Sequence, residues 1–474
     1  MKFMHEMEIE VNREDPNTQS KYLHPDGGWG YVVNVSFIVV MYVSMLPLIT
    51  FGLYYGPFLA SIGDETSLTA TSSSIFLAVQ SFTGVASGFL LKRYSYRIVG
   101  LVAATSYSIG AFSEGFSKSL VHIVISYSLL KGFGFGLLVT VSFTILNDYF
   151  DKKHNLIMGI SQTVICIGTI IFPIVIAYTI EHMEFRNVGI MLGAFSLLNF
   201  PAIATYRCPR KKSTGITKEL VTEYDSKSPT EALLQDKYNE RVHQAIGHQK
   251  NKSMVSLLAI KHWVLDTMGL RLFFDIRYVN MVVGLAVSYN SDFNFTIIVG
   301  ILLSNSNFRS SDVGMIVMVY FGFDLISRIT YSFISYFHTI NNRMTFLVAT
   351  FIISVFRVAF VLGEGYTWKM ITIGLVGLTR GFIETPLPLV ISEMYKNDFS
   401  TAYSLYMFLT GCLGLIFGPI TRYVKDITKS DPMIIYFYAV ANFLICSTWV
   451  MEMIFLKICN KGSHEIVDSE DNKE

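Results

Sequence analysis

The chain has 474 residues, 51% of them hydrophobic and 15% charged, with a mean hydropathy of +0.45. Soluble domains carry about 25% charged residues and their single cores stop growing near roughly 250–300 residues, so a water-soluble globule is excluded. The formal net charge of +1, without a basic stripe interleaved with aromatics, excludes nucleic-acid recognition, and the five cysteines have neither zinc-site nor disulfide-framework spacing.

Residues 1–24 contain Glu6, Glu8, Glu10, Arg13, Glu14 and Asp15 and no apolar stretch, which predicts a polar cytoplasmic tail rather than a cleaved leader. A spanning helix needs roughly 20 mostly apolar residues. Six such runs are predicted in the half comprising residues 25–206, near 30–58, 70–91, 98–117, 119–147, 155–180 and 187–206. Residues 207–277 turn polar, with 13 Lys or Arg, and read as a central cytoplasmic loop. Within it, residues 256–272 alternate apolar positions with Lys261, His262, Asp266 and Arg271, which fits either a helix lying on the membrane surface or a lead-in to the next span. Six further runs are predicted in residues 278–458, near 278–304, 312–336, 344–362, 367–394, 400–422 and 432–457, before a polar tail at 459–474. Lys92, Arg93 and Arg97, then Lys152 and Lys153, then the central loop place basic charge on one side of the membrane, so both termini are expected to be cytoplasmic.

Two segments carry a resemblance. The first is Pro25, Asp26, Gly27, Gly28, Trp29, Gly30 and Tyr31, where paired glycines permit a tight turn, the carboxylate suits a helix start and the aromatics suit the interfacial belt. The second is Tyr149, Phe150, Asp151, Lys152, Lys153, His154, Asn155 and Leu156, followed by Gly159. The first resembles the Asp/Glu-Gly-Gly/Ser-Trp/Phe-Gly/Ala-Trp signature of the monocarboxylate transporters, with Tyr31 in place of the last tryptophan. The second is similar to that family's Tyr-Phe-x-Lys-Arg-Arg-x-Leu-Ala-x-Gly segment, with Lys153 and His154 in place of the arginines. Its basic residues can serve topology or gating, and Gly159 can let helices approach closely. Residues 92–97 also resemble the loop between spans two and three of the wider superfamily, without its acidic residue and glycine.

The resemblance implies an all-α membrane protein with the major facilitator fold, twelve transmembrane helices in two six-helix halves around a midplane site. It implies a secondary transporter, at the plasma membrane, moving a small organic anion of the monocarboxylate class by alternating access, as proton-linked symport or facilitated diffusion. An aromatic amino acid, a hormone-like or another solute remains open, as does a non-transporting sensor of the same fold. By analogy with the family, a single-span accessory glycoprotein is a candidate partner. No cofactor is implied, and no catalytic or metal constellation occurs, so an enzyme is not expected.

Ionisable residues inside spans point to function because they are costly in lipid. In span eight Asp324 and Arg328 are four residues apart, which puts carboxylate and guanidinium on one helix face. The resemblance assigns such a pair to substrate anion and proton, while the same spacing equally suits a permanent structural ion pair. Arg380 and Glu384 repeat the spacing in span ten, ahead of Pro386 and Pro388, and read equally as a structural pair or as part of the pocket. Lys131 in span four and Arg357 in span nine are further buried cations that a structural partner would explain. Proton-coupled members of the family have a lysine in span one shortly after a proline, where this chain has Leu48 or Ile49 after Pro47. That departure leaves the implied proton relay incomplete.

Overall fold

A computed structural model describes residues 26–62, 65–208, 270–305, 308, 310–428 and 432–471. The central-loop expectation therefore falls almost wholly outside the described residues. Of the surface helix anticipated at 256–272, only the last three residues are described, in the short 3-10 turn Leu270–Phe274.

Helix dominates because a backbone in lipid must satisfy its own polar groups, and an unbroken helix does so within one segment. In the first half the helices are α1 (Trp29–Ile49), α2 (Phe51–Ile62), α3 (Glu65–Arg93), α4 (Tyr96–Glu114), α5 (Leu120–Ile123), α6 (Gly132–Tyr149), α7 (His154–His182), α8 (Phe185–Ser196) and α9 (Asn199–Ala204). A π-helical stretch, Val124–Lys131, joins α5 to α6. In the second half they are α10 (Ile276–Asn305), α11 (Ser310–Phe337), α12 (Asn342–Leu362), α13 (Tyr366–Glu384), α14 (Leu387–Met394), α15 (Phe399–Thr428) and α16 (Pro432–Asp471). Grouped as the apolar runs suggest, they make twelve rods, spans one, four, six and ten each comprising more than one segment. Among the described residues nine helices are long and apolar enough to cross a membrane, and Trp29–Met45 is a shorter apolar one.

The interruptions have local causes. Span ten breaks at Thr385 and Pro386, because proline lacks the amide that would continue the ladder. By contrast, α16 runs on past position 457 to Asp471, where the apolar pattern had ended in a polar tail.

Small residues bring the helices together, as they do where no hydrophobic force acts between helices in lipid. A Cβ on Gly88 would stand 2.7 Å from Ser404 Oγ and one on Gly411 2.1 Å from Ser81 Cβ, so α3 and α15 lie side by side. A Cβ on Gly159 would stand 2.5 Å from Ser332 Oγ, so α7 lies equally close to α11. Through these two contacts the first six spans meet the last six.

Candidate functional site

Three buried arginines of the second half converge on two aspartates. Arg328 Nε donates to Asp324 Oδ2 at 3.2 Å, as the four-residue spacing predicts. Arg380 does not turn to Glu384, four residues along its own helix. Its Nε donates to Asp292 Oδ2 at 2.7 Å and its Nη1 to Asp324 Oδ2 at 2.8 Å, bridging α10 and α11. Arg357 Nη2 donates to the other oxygen of Asp292, and its Nη1 to Ser291 Oγ at 3.0 Å. Both aspartates are almost wholly buried, Asp292 at 2% exposure and Asp324 at 1%.

Aromatic faces complete the lining. The Arg357 guanidinium lies 4.6 Å from the Phe295 ring centre and that of Arg380 5.7 Å from Tyr320, distances at which a cation is attracted to the ring. Glu384 is half-buried and makes no ion pair among the described residues.

Among the described residues, the first half's hydrogen bonds to this cluster come from α7. Arg328 Nη1 donates to Gln162 Oε1 at 3.2 Å, and Cys166 Sγ to Asp324 Oδ2 at 3.5 Å. Asp324 is the fifteenth of the 28 residues in α11, so the pair stands at mid-helix, at the seam between the halves. The arrangement can offer a forked guanidinium to an anion while a neighbouring carboxylate holds that fork when no anion is present.

The remaining candidates lie elsewhere. Lys131, at the end of the π-helical stretch, turns to Glu114, with Nζ 2.9 Å and 3.1 Å from the two carboxylate oxygens. The rings of Tyr107 and Tyr127 lie 5.3 Å from the same nitrogen. Glu114 is the last residue of α4 and is 1% exposed. Lys131 is therefore paired inside the first half and is not brought to the cluster.

The two signature segments meet each other. Asp26, at φ 46°, accepts from the backbone amides of Asp151, Lys152 and Lys153 at 2.8, 3.4 and 3.3 Å, and its own amide donates to the Tyr149 carbonyl. Gly28, at φ 57°, makes the turn. A Cβ on Gly30 would come within 3.0 Å of the Phe150 ring. Trp29 Nε1 donates to the Thr205 carbonyl at 2.9 Å under the Arg207 guanidinium, and Lys153 Nζ to the Tyr31 hydroxyl at 3.3 Å.

At this same end the halves are joined by polar contacts. Ser392 reaches Asn147 and His154, Asn342 reaches Asn155 at 3.0 Å, and Lys396 reaches Asp151. A cavity of about 600 Å³ here is lined by Lys152, His154, His338 and Glu393 among others, and by none of the six grouped charges.

Sequence reasoning missed Asp292. It has no partner at helical spacing on its own helix, yet a carboxylate near the middle of the run at 278–304 was itself a signal.

The fold and this charged seam define a membrane transporter, and the chain belongs to the Major Facilitator Superfamily, whose family model matches residues 32–419. It is similar to several monocarboxylate transporters. Monocarboxylate transporter 14 of Homo sapiens is 20% identical over 95% of this chain and 94% of its own length. Monocarboxylate transporter 13 of Bos taurus is 27% identical over 36% of this chain, a match that spans 41% of that relative; for monocarboxylate transporter 7 of Homo sapiens the matched share of the relative is 33%. Among solved structures, the transporter FucP in the outward conformation aligns with a TM-score of 0.59, at 12% identity over 88% of this chain and 98% of that one. The proton:xylose symporter XylE, bound to 6-bromo-6-deoxy-D-glucose, aligns with 0.61, at 12% identity over 88% and 94%. These likenesses establish the fold. The protein is thus a multi-pass membrane protein of that superfamily.

Proposed function

We propose that this protein is a secondary transporter that moves a small monocarboxylate anion across the plasma membrane by alternating access, with both termini cytoplasmic. Its two working bodies are residues 25–206 and 278–458, joined by a cytoplasmic segment at 207–277, with tails at 1–24 and 459–474. A single-span accessory glycoprotein is proposed as partner on family grounds alone.

The observation that carries the reading is the position of Arg328, at the seam between the halves, held by Asp324 on its own helix and by Gln162 across the seam. An anion arriving from either side can replace Asp324 as partner of the guanidinium, and the released carboxylate then has Arg380 to retain it. The contact to Gln162 ties occupancy to the relative position of the halves, which is what alternating access requires. With the basic end cytoplasmic, the polar contacts at Asn147, Ser392 and Lys396 close the cytoplasmic side in this state.

Uptake of a panel of radiolabelled monocarboxylates into a transport-null cell tests the reading. Wild type accumulates at least one of them, and Arg328→Lys, which keeps the charge but loses the fork, loses at least about tenfold in uptake at normal surface expression. Unchanged affinity and rate in that variant would make the guanidinium structural and the site wrong.

A further inference from the structure

We propose that Glu384 carries the co-transported proton, binding it together with the substrate anion and supplying from span ten the titratable group that span one lacks. This rests on the reading of Arg328 as ligand of the substrate carboxylate.

The argument is one of charge balance in a low-dielectric site. Three guanidinium groups, those of Arg328, Arg357 and Arg380, face two aspartates, Asp292 and Asp324, leaving one positive charge over. Ionised Glu384 cancels that charge in the empty site. A bound carboxylate would then leave the site one negative charge in excess, and an uncompensated charge at bilayer depth is heavily disfavoured. A proton on Glu384 removes the excess. Anion and proton therefore bind as a neutral pair and leave as one, the proton coming from water on one side and returning to water on the other.

The three acids differ in how they are held. Asp292 accepts from Arg357 and Arg380, and Asp324 from Arg328 and Arg380, so each aspartate is held by two guanidinium groups. Glu384 has no guanidinium upon it among the described residues and is half-buried, where both aspartates are almost fully enclosed. It is thus the acid of the three that a proton can reach and leave without breaking an ion pair. The groups around it come from four helices. Arg380 is on its own helix, Asp292 and Tyr289 are on α10, Asp324 and Arg328 on α11, and Tyr403 and Tyr406 on α15. The arginines oppose protonation of Glu384 and the aspartates favour it. A substrate carboxylate on Arg328 adds a further negative charge, and this is the coupling.

The test uses the purified full chain in liposomes containing pyranine, supplied with the same monocarboxylate panel. An inward gradient of a transported acid acidifies the lumen in wild type, and net uptake is at least about fivefold faster at external pH 6 than at pH 8. Glu384→Gln keeps the shape without the titration. It exchanges labelled for unlabelled substrate equally at both pH values and gives less than about a tenth of the pyranine signal. Glu384→Asp restores a carboxyl and with it the proton signal. Pyranine acidification in Glu384→Gln, or its loss in Glu384→Asp at wild-type exchange, overturns the proposal, as does wild-type uptake without acidification. If Arg328→Lys exchanges as wild type does, or wild type takes up no member of the panel, the carboxylate site itself falls and this assignment with it. If Arg328→Lys is inactive while Glu384→Gln still moves protons, the proton assignment alone falls.

Discussion

Each half of the protein buries charge, but in different ways. In the first half Lys131 and Glu114 form a one-to-one pair, both ends buried, walled by Tyr107 and Tyr127 of the same half. In the second half three arginines share two aspartates, the oxygen Asp324 Oδ2 accepts from two of them, and a helix of the opposite half touches the group. A closed pair has one arrangement of low energy. A shared set has several of similar energy, because each guanidinium can trade one carboxylate for another, and an arriving anion needs such a choice. Charge in a membrane core thus reads as structure when its partners are matched and as function when they are oversubscribed.

The sharpest way to break this comparison is to weaken one cation in each half. Arg328→Lys lowers uptake by at least about tenfold while the protein reaches the surface, because the charge remains and only the fork is lost. Lys131→Met has the opposite profile. It strands Glu114 without its cation at a cost of about 3–5 kcal/mol, read as a fall in detergent-extracted melting temperature and in surface yield, while surviving protein keeps its half-saturating concentration. Pairing it with Glu114→Gln recovers most of that loss. Equal loss of affinity in both cation variants would erase the distinction.

A smaller effect sharpens it. Asp324→Asn keeps the shape but gives Arg328 no carboxylate in the empty site, so the unloaded carrier returns slowly. Labelled exchange then stays within about threefold of wild type while net flux falls further. Equal decline of both would place Asp324 among the structural acids. The smallest change is expected at the surface motif, where Asp26→Ala removes three amide contacts and costs about 1 kcal/mol of thermal stability with transport affinity unmoved.

These regions were unequally legible in the sequence. Apolar runs of membrane-spanning length showed the helices, because lipid leaves the backbone little choice, and Pro386 announced the break in span ten. The Asp324 and Arg328 pair was legible because its spacing is local. The same rule misdirects at Arg380, whose guanidinium is long enough to cross to two neighbouring helices and finds stronger partners there than Glu384. Asp292 showed only as a carboxylate inside an apolar run, and its partners were not legible because they sit 65 and 88 residues away. The partner of Lys131 was not legible either, because Glu114 stands on another helix 17 residues away.

The clasp at Asp26 bears on how the chain is made. Its carboxylate holds amides 125 residues downstream, beyond the fourth span. During synthesis the first span enters the membrane with its leading turn unfinished, and only the emergence of the segment around Lys152 and Lys153 completes it. The clasp is therefore a late seal on the first half, closed when the starts of its first and fifth spans have been delivered to the same face of the bilayer.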